Sequence, residues 1–164
     1  RTLNDIVRKN LLSENLIEKY KNKLDWENIC TYQKLSYNFI EKYSDELNWN
    51  QICVYQKLTE EFMEKHKNTL DWEYISIYQT LSEQFMEKHK NILDWYYIVK
   101  YQKLNEKFIE KHKDKMDWEY ISHYQKLSYG FIEKHQNELN INILLQNKKI
   151  SNEIKEKLKR IEII

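Results

Sequence analysis

Apolar positions return along this chain in blocks of 23 residues, most cleanly from Asp71 to Leu93 (DWEYISIYQTLSEQFMEKHKNIL). Trp72, Ile75, Ser76 and Gln79 share one face at helical spacing, and Phe85, Met86 and His89 share another. Asp71 and Ser82 stand where each face begins, and both are good N-cap residues, able to accept from free N–H groups of the next turn. Leu70 with Ile75, and Leu81 with Met86, have the spacing of a hydrophobic staple. Asn91 is a stop signal, because Asn tolerates the left-handed conformation that closes many helices. The block therefore predicts helix A over 72–80 and helix B over 83–90, each roughly 12–14 Å long. Helices this short are not stable alone in water, so each must lean on its neighbours. The rival reading is one continuous helix or coiled coil, which the absence of Pro would permit; against it, 23 is not a multiple of seven and no apolar seam survives the break at each Ser.

Stepping by 23 from residue 2 gives seven units, 2–24 through 140–162. The helix A cap slot reads Thr2, Asp25, Asn48, Asp71, Asp94, Asp117, Asn140, and the helix B cap slot Ser13, Ser36, Thr59, Ser82, Asn105, Ser128, Ser151. The pattern predicts an all-α fold, an α-solenoid of seven 23-residue helix-turn-helix repeats forming a single domain over 1–164. Repeat 2–24 serves as N-terminal cap, 25–139 as the core repeats and 140–164 as the C-terminal cap, because end units need a polar outer face. Analogy with other α-solenoids makes it right-handed. In this reading Trp26, Trp49, Trp72, Trp95 and Trp118, with the Ile row of helix A, fill the core against the Phe, Met and Leu rows of helix B. Gln33, Gln56, Gln79, Gln102 and Gln125, seven residues after each Trp, point inward, where an amide must be hydrogen-bonded to a turn or to the next unit.

Composition changes the picture in two respects. Apolar residues are only 41% while aromatic rings make up 14%, so few, large side chains do the burying. Charged residues are 32% and balanced to a net +1, which lacks the electrostatic footprint of a phosphate-binding surface. Cys30 and Cys53 share a slot filled elsewhere by Ser76, Val99 and Ser122, a small-residue site that lets helices approach closely. Stacked helices about 8–10 Å apart are too distant for a disulfide, so both are expected as free thiols in a reducing, cytoplasmic setting. No apolar run reaches the length of a membrane span, and no signal peptide is visible.

The stretches LDWENICTYQKLSYNFIEKY, LDWEYISIYQTLSEQFMEKH and MDWEYISHYQKLSYGFIEKH carry a resemblance. They are similar to the short Trp-containing helical repeats in proteins of large nucleocytoplasmic DNA viruses. The likeness covers residues 24–139 well and the two end units loosely, and a Lys-, Asn-, Ile- and Tyr-rich composition suits the A+T-rich genomes of many such viruses. It implies a repeat protein of the host cytoplasm or the virion, and carries over no catalytic residue.

The surface offers several candidates. Tyr32, Tyr55, Tyr78, Tyr101 and Tyr124 lie off the core line of helix A, where rings either anchor a partner or seal the seam between units. The next slot, Thr31, Val54, Ile77, Lys100 and His123, is the most varied; Ile77, Lys100 and His123 join the tyrosines as candidate partner contacts. Val and Ile cannot read a base edge, which argues against a one-base-per-repeat code. His66, His89, His112 and His135 form a ladder, but Tyr20 and Tyr43 fill the same slot, so it reads as a flat ring with a polar tip and no metal is expected. The Glu-Lys pair of each unit, from Glu18-Lys19 to Glu156-Lys157, reads as a charge ladder between units. One glycine cannot build a phosphate loop, and no nucleophile-base pair stands out, so no catalytic residue and no cofactor is assigned. The expected role is a protein-binding scaffold with an unidentified protein partner. Self-assembly as a structural component is the alternative, and nucleic-acid binding through the basic last unit (Lys148, Lys149, Lys155, Lys157, Lys159, Arg160) comes third.

Overall fold

A computed structural model describes residues 2–161. Those residues form fourteen α-helices and two 3-10 turns, with no strand among them. Each repeat is a helix pair, and consecutive pairs pack in sequence order, which makes the fold an all-α solenoid of repeats. The chain divides into two compact units, Arg1–Gln79 and Thr80–Ile164. The first holds α1 (Leu3–Lys9), α2 (Glu14–Tyr20), α3 (Trp26–Tyr32), α4 (Tyr37–Lys42), α5 (Trp49–Tyr55), α6 (Glu60–Lys65) and α7 (Trp72–Tyr78). The second holds α8 (Glu83–Lys88), α9 (Trp95–Tyr101), α10 (Glu106–His112), α11 (Trp118–Tyr124), α12 (Tyr129–Lys134), α13 (Ile141–Gln146) and α14 (Asn152–Ile161). The odd-numbered elements are helix A of each repeat and the even-numbered ones helix B.

Capping chemistry starts the helices where expected. Asp71 Oδ1 accepts from Glu73 N and Tyr74 N, and Ser82 Oγ from Phe85 N. The ends differ from expectation. Helix A stops at Tyr78 with Gln79 as its C-cap, and helix B stops at Lys88 with His89 as its C-cap. Asn91 is not a left-handed stop, since no described residue has a positive φ. Instead Ile92 N and Leu93 N both donate to the His89 carbonyl, at 3.0 and 3.2 Å, and a right-handed turn closes the helix without any αL residue.

In the first unit α1, α3, α5 and α7 pack side by side as a close row, and α9, α11 and α13 do the same in the second; consecutive B helices approach less closely. The small-residue slot explains the closeness. Cys30, Cys53, Ser76 and Ser122 are fully buried and Val99 nearly so, beside an Ile row (Ile29, Ile52, Ile75, Ile98, Ile121) that is also sealed. Phe39, Phe62, Phe85, Phe108 and Phe131, with Ile40, Met63, Met86, Ile109 and Ile132, bury the opposing face of the B helices.

The indoles correct the expected core. Trp26, Trp49, Trp72, Trp95 and Trp118 are only half-buried. Each sits over the turn entering its own helix: Nε1 of Trp49, Trp72 and Trp95 donates to the carbonyls of Ser44, Lys67 and Lys90, at 3.0–3.2 Å. An indole N–H needs an acceptor, and the turn supplies it at the edge of the core rather than inside it. The rows at the centre are therefore Ile, Phe and Met.

The first repeat is also not the polar cap expected of it. Leu3, Ile6 and Leu16 are more than a third exposed and Leu11 is 75% exposed. The last repeat does carry polar side chains outward, with Lys148, Lys149, Lys157, Lys159 and Arg160 exposed.

Candidate interaction surface

What the surface can do depends on which polar groups the stacking consumes. The glutamine row is consumed entirely. Gln56 is buried; its Nε2 donates to the carbonyls of Cys30 and Gln33 at 2.9 and 2.8 Å, and its Oε1 accepts from Leu35 N at 3.1 Å. Gln33 makes the same three bonds to Val7, Asn10 and Leu12, and Gln79 to Cys53, Gln56 and Leu58. In the second unit Gln125 bonds Val99, Gln102 and Leu104, while Gln102 accepts from Leu81 N. The amides of Gln33, Gln56, Gln79 and Gln125 thus clasp the C-terminal end of helix A in the repeat before them, each through two donated bonds and one accepted bond. In the last repeat Asn147 does this one position early, donating to the Ser122 and Gln125 carbonyls at 2.8 and 2.9 Å. A shorter amide in a shifted position gave no signal at a 23-residue period.

The acids are consumed too. Glu41 pairs with Lys65 at 2.6 Å and His66 at 3.1 Å of the next repeat; Glu87 pairs with Lys111 and His112, and Glu110 with Lys134 and His135. Glu18 pairs with Lys42 at 2.6 Å, where Tyr43 takes the histidine position. The ring at this position lies against its own repeat's indole and Phe: His112 is 5.0 Å from Trp95 and 4.6 Å from Phe108, and Tyr43 is 5.1 Å from Trp26. The slot holds a flat ring whose polar tip reaches the preceding repeat. Among the described residues no group of His, Cys, Asp and Glu is arranged to hold a metal ion.

A third inter-repeat bond was not legible beforehand. The residue after a helix B cap reaches the next cap in three repeats: Glu14 accepts from Ser36 N and Oγ, Glu106 from Ser128 N and Oγ, and Glu83 from Asn105 N and Nδ2. Tyr37 fills this slot in another way, its hydroxyl accepting from Thr59 N and donating to the Lys57 carbonyl. The sequence signal is an acid or hydroxyl-bearing ring directly after one cap, 22 residues before the next.

The tyrosine row remains. In the first unit Tyr32, Tyr55 and Tyr78 are about half exposed, and Tyr74 and Tyr78 lie parallel along α7 at 6.1 Å. Tyr32 and Tyr55 line an open groove of about 330 Å³, with Thr31, Lys34, Lys57 and the exposed Leu11. In the second unit Tyr101 is 47% exposed and Tyr124 is half-buried. Lys100 is not free there: its ammonium lies 5.2–5.7 Å from the rings of Tyr96, Tyr101 and Tyr124 and donates to the Tyr96 hydroxyl. His123 is exposed beside Tyr124, and Ile77 is half-buried on α7. Cys30 and Cys53 are free and sealed, and burial raises both thiols, Cys53 to about 11, so neither is a ready nucleophile. No described helix is long and apolar enough to cross a membrane. Compared with protein-family models, curated proteins and solved structures, the chain matches none.

Two outcomes test the inter-repeat bonds. Gln56→Leu strands buried backbone partners and should cost about 3 kcal/mol in urea denaturation; a loss below about 1 kcal/mol would mean that the amide bonds hold nothing together. Glu87 is held down from 4.5 to about 2 by Lys111, Lys90 and His112, and Glu110 likewise by Lys113, Lys134 and His135. Depressed carboxyls bind fewer protons folded than unfolded, so their contribution is full above pH 4.5 and disappears as pH falls toward 2. The melting temperature should drop through that window, and more shallowly in E87Q/E110Q.

Proposed function

We propose that this chain is a non-enzymatic repeat scaffold that binds a protein partner through the tyrosine face of its A helices. The observation supporting this reading is the division of labour among polar side chains. Glutamine amides, helix B acids and His or Tyr tips are taken up by bonds between repeats, whereas Tyr32, Tyr55, Tyr78 and Tyr101 of the A row keep about half of their surface in solvent. Half-buried, pre-ordered rings suit an anchor, since little rotamer freedom is lost on docking. The likeness to repeat proteins of large nucleocytoplasmic DNA viruses belongs to the same proposal, with the host cytoplasm or the virion as the place of action. The discriminating measurement compares affinity capture by the native chain with capture by a Tyr32→Ser, Tyr55→Ser, Tyr78→Ser, Tyr101→Ser variant of unchanged melting temperature. Proteins retained by the first and lost by the second support the reading; identical captures defeat it.

Self-association is a second reading, favoured by the exposed Leu3, Ile6 and Leu16 of the first repeat. Light scattering over a concentration series should then show the mass growing with concentration, and the growth should disappear in L3S/I6S/L16S. A constant monomer mass removes this reading.

A further inference from the structure

We infer that the groove between Tyr32 and Tyr55 takes an extended acidic segment of a partner protein, with Lys34 and Lys57, which follow the pairs Tyr32-Gln33 and Tyr55-Gln56, meeting its carboxylates. This rests on the scaffold reading and names the chemistry of what the scaffold holds. Net charge alone hides the feature, because at +1 the chain looks neutral. The neutrality is unevenly placed. Glu14, Glu18 and Glu41 are spent on the next repeat's cap or on Lys42, Lys65 and His66, all around the B helices. Lys34 and Lys57 project into solvent at the groove with no acid beside them, and neither ammonium has a protein partner.

The loops carrying these lysines are held rigidly. Lys34 lies between Gln33, whose side chain is bonded three times, and Leu35, whose N–H is bound by Gln56. Lys57 lies between Gln56 and Leu58, the latter bound by Gln79, and its own carbonyl accepts from the Tyr37 hydroxyl. The fixed backbone sets where each lysine stem begins, so an arriving anion has only the side chain left to order. Leu11 and the two rings add an apolar floor, so the ligand alternates acidic with apolar groups. In the second unit Lys103 and Lys126 hold the same sequence positions after Tyr101-Gln102 and Tyr124-Gln125, and both are exposed.

Spacing favours a peptide over a single-stranded nucleic acid. Packed helices lie about 8–10 Å apart, which an extended chain covers in about three residues, so carboxylates three residues apart would meet Lys34 and Lys57 on adjacent repeats. One cation per repeat is sparse against a backbone carrying a phosphate every few ångström.

The test is fluorescence anisotropy on the full chain, with a labelled peptide of repeated Ser-Leu-Glu, the same peptide with Lys for Glu, and an oligouridylate. The Glu peptide should bind at least about tenfold more tightly than the Lys peptide. K34Q/K57Q/K103Q/K126Q should lose that preference while melting like the native chain, because none of the four ammonium groups holds the fold. Tyr55→Ala should weaken the Glu peptide separately. Equal binding of the two peptides, a preference that survives the lysine variant, or tighter binding of the oligouridylate would each overturn the inference. If the acidic preference fails while tyrosine-dependent capture persists, the scaffold stands and its partner is not acidic; if both fail, the scaffold reading goes too.

Discussion

A buried glutamine amide offers two N–H donors and a carbonyl acceptor, and in this fold all are used on the backbone of the preceding repeat. Gln56 on Cys30, Gln33 and Leu35 is the representative case. The amide supplies two donors and an acceptor where a six- or seven-residue helix has just ended, so the exposed ends that make short helices unstable are satisfied by a neighbour. Because the amide sits on one repeat and its three backbone partners on the repeat before, the helix end and its place in the stack are fixed together. Remove the neighbour and the amide, the frayed helix end and the sealed Ile row are all exposed at once.

The other inter-repeat bonds are arranged around that clasp. Cys30, Cys53, Ser76 and Ser122 keep the A helices close enough for the amide to reach. On the B side, Glu41, Glu87 and Glu110 tie each repeat to the next through Lys and His, while Glu14, Glu83 and Glu106 grip the next cap. Exposed ion pairs contribute little individually, so these bonds align the B helices more than they stabilise them. Their consequence for function is indirect. By engaging most of the helix B acids, they leave the lysines and tyrosines of the A side unmatched.

Particular residues show how far the chain could be read in advance. Asp71 and Ser82 announce their helices because an N-cap acts on N–H groups two or three residues away, and the cap rows at 23-residue spacing establish the repeat. The inward Gln row was legible as well, since an amide repeated on an apolar face must find partners. Trp72 was misleading: hydrophobicity and spacing put an indole on the core side, but its N–H wants an acceptor, and only the placed turn at Lys67 shows that this acceptor lies at the core's edge. Asn91 misled for a similar reason, as the His89 carbonyl could close the turn without a left-handed residue. Leu11 is 75% exposed, which its apolar character could not reveal.

By itself the sequence determined the helical class, the 23-residue period and the start of each helix, because these rest on interactions within a few residues of chain. Tertiary structure alone decided which polar groups are spent and which are left over. That the Glu-His tips are engaged while Lys34, Lys57 and the tyrosines face solvent depends on residues 20 to 26 positions apart meeting across repeats. No local propensity records such a meeting. The surface available to a partner is what remains after those long-range bonds are made.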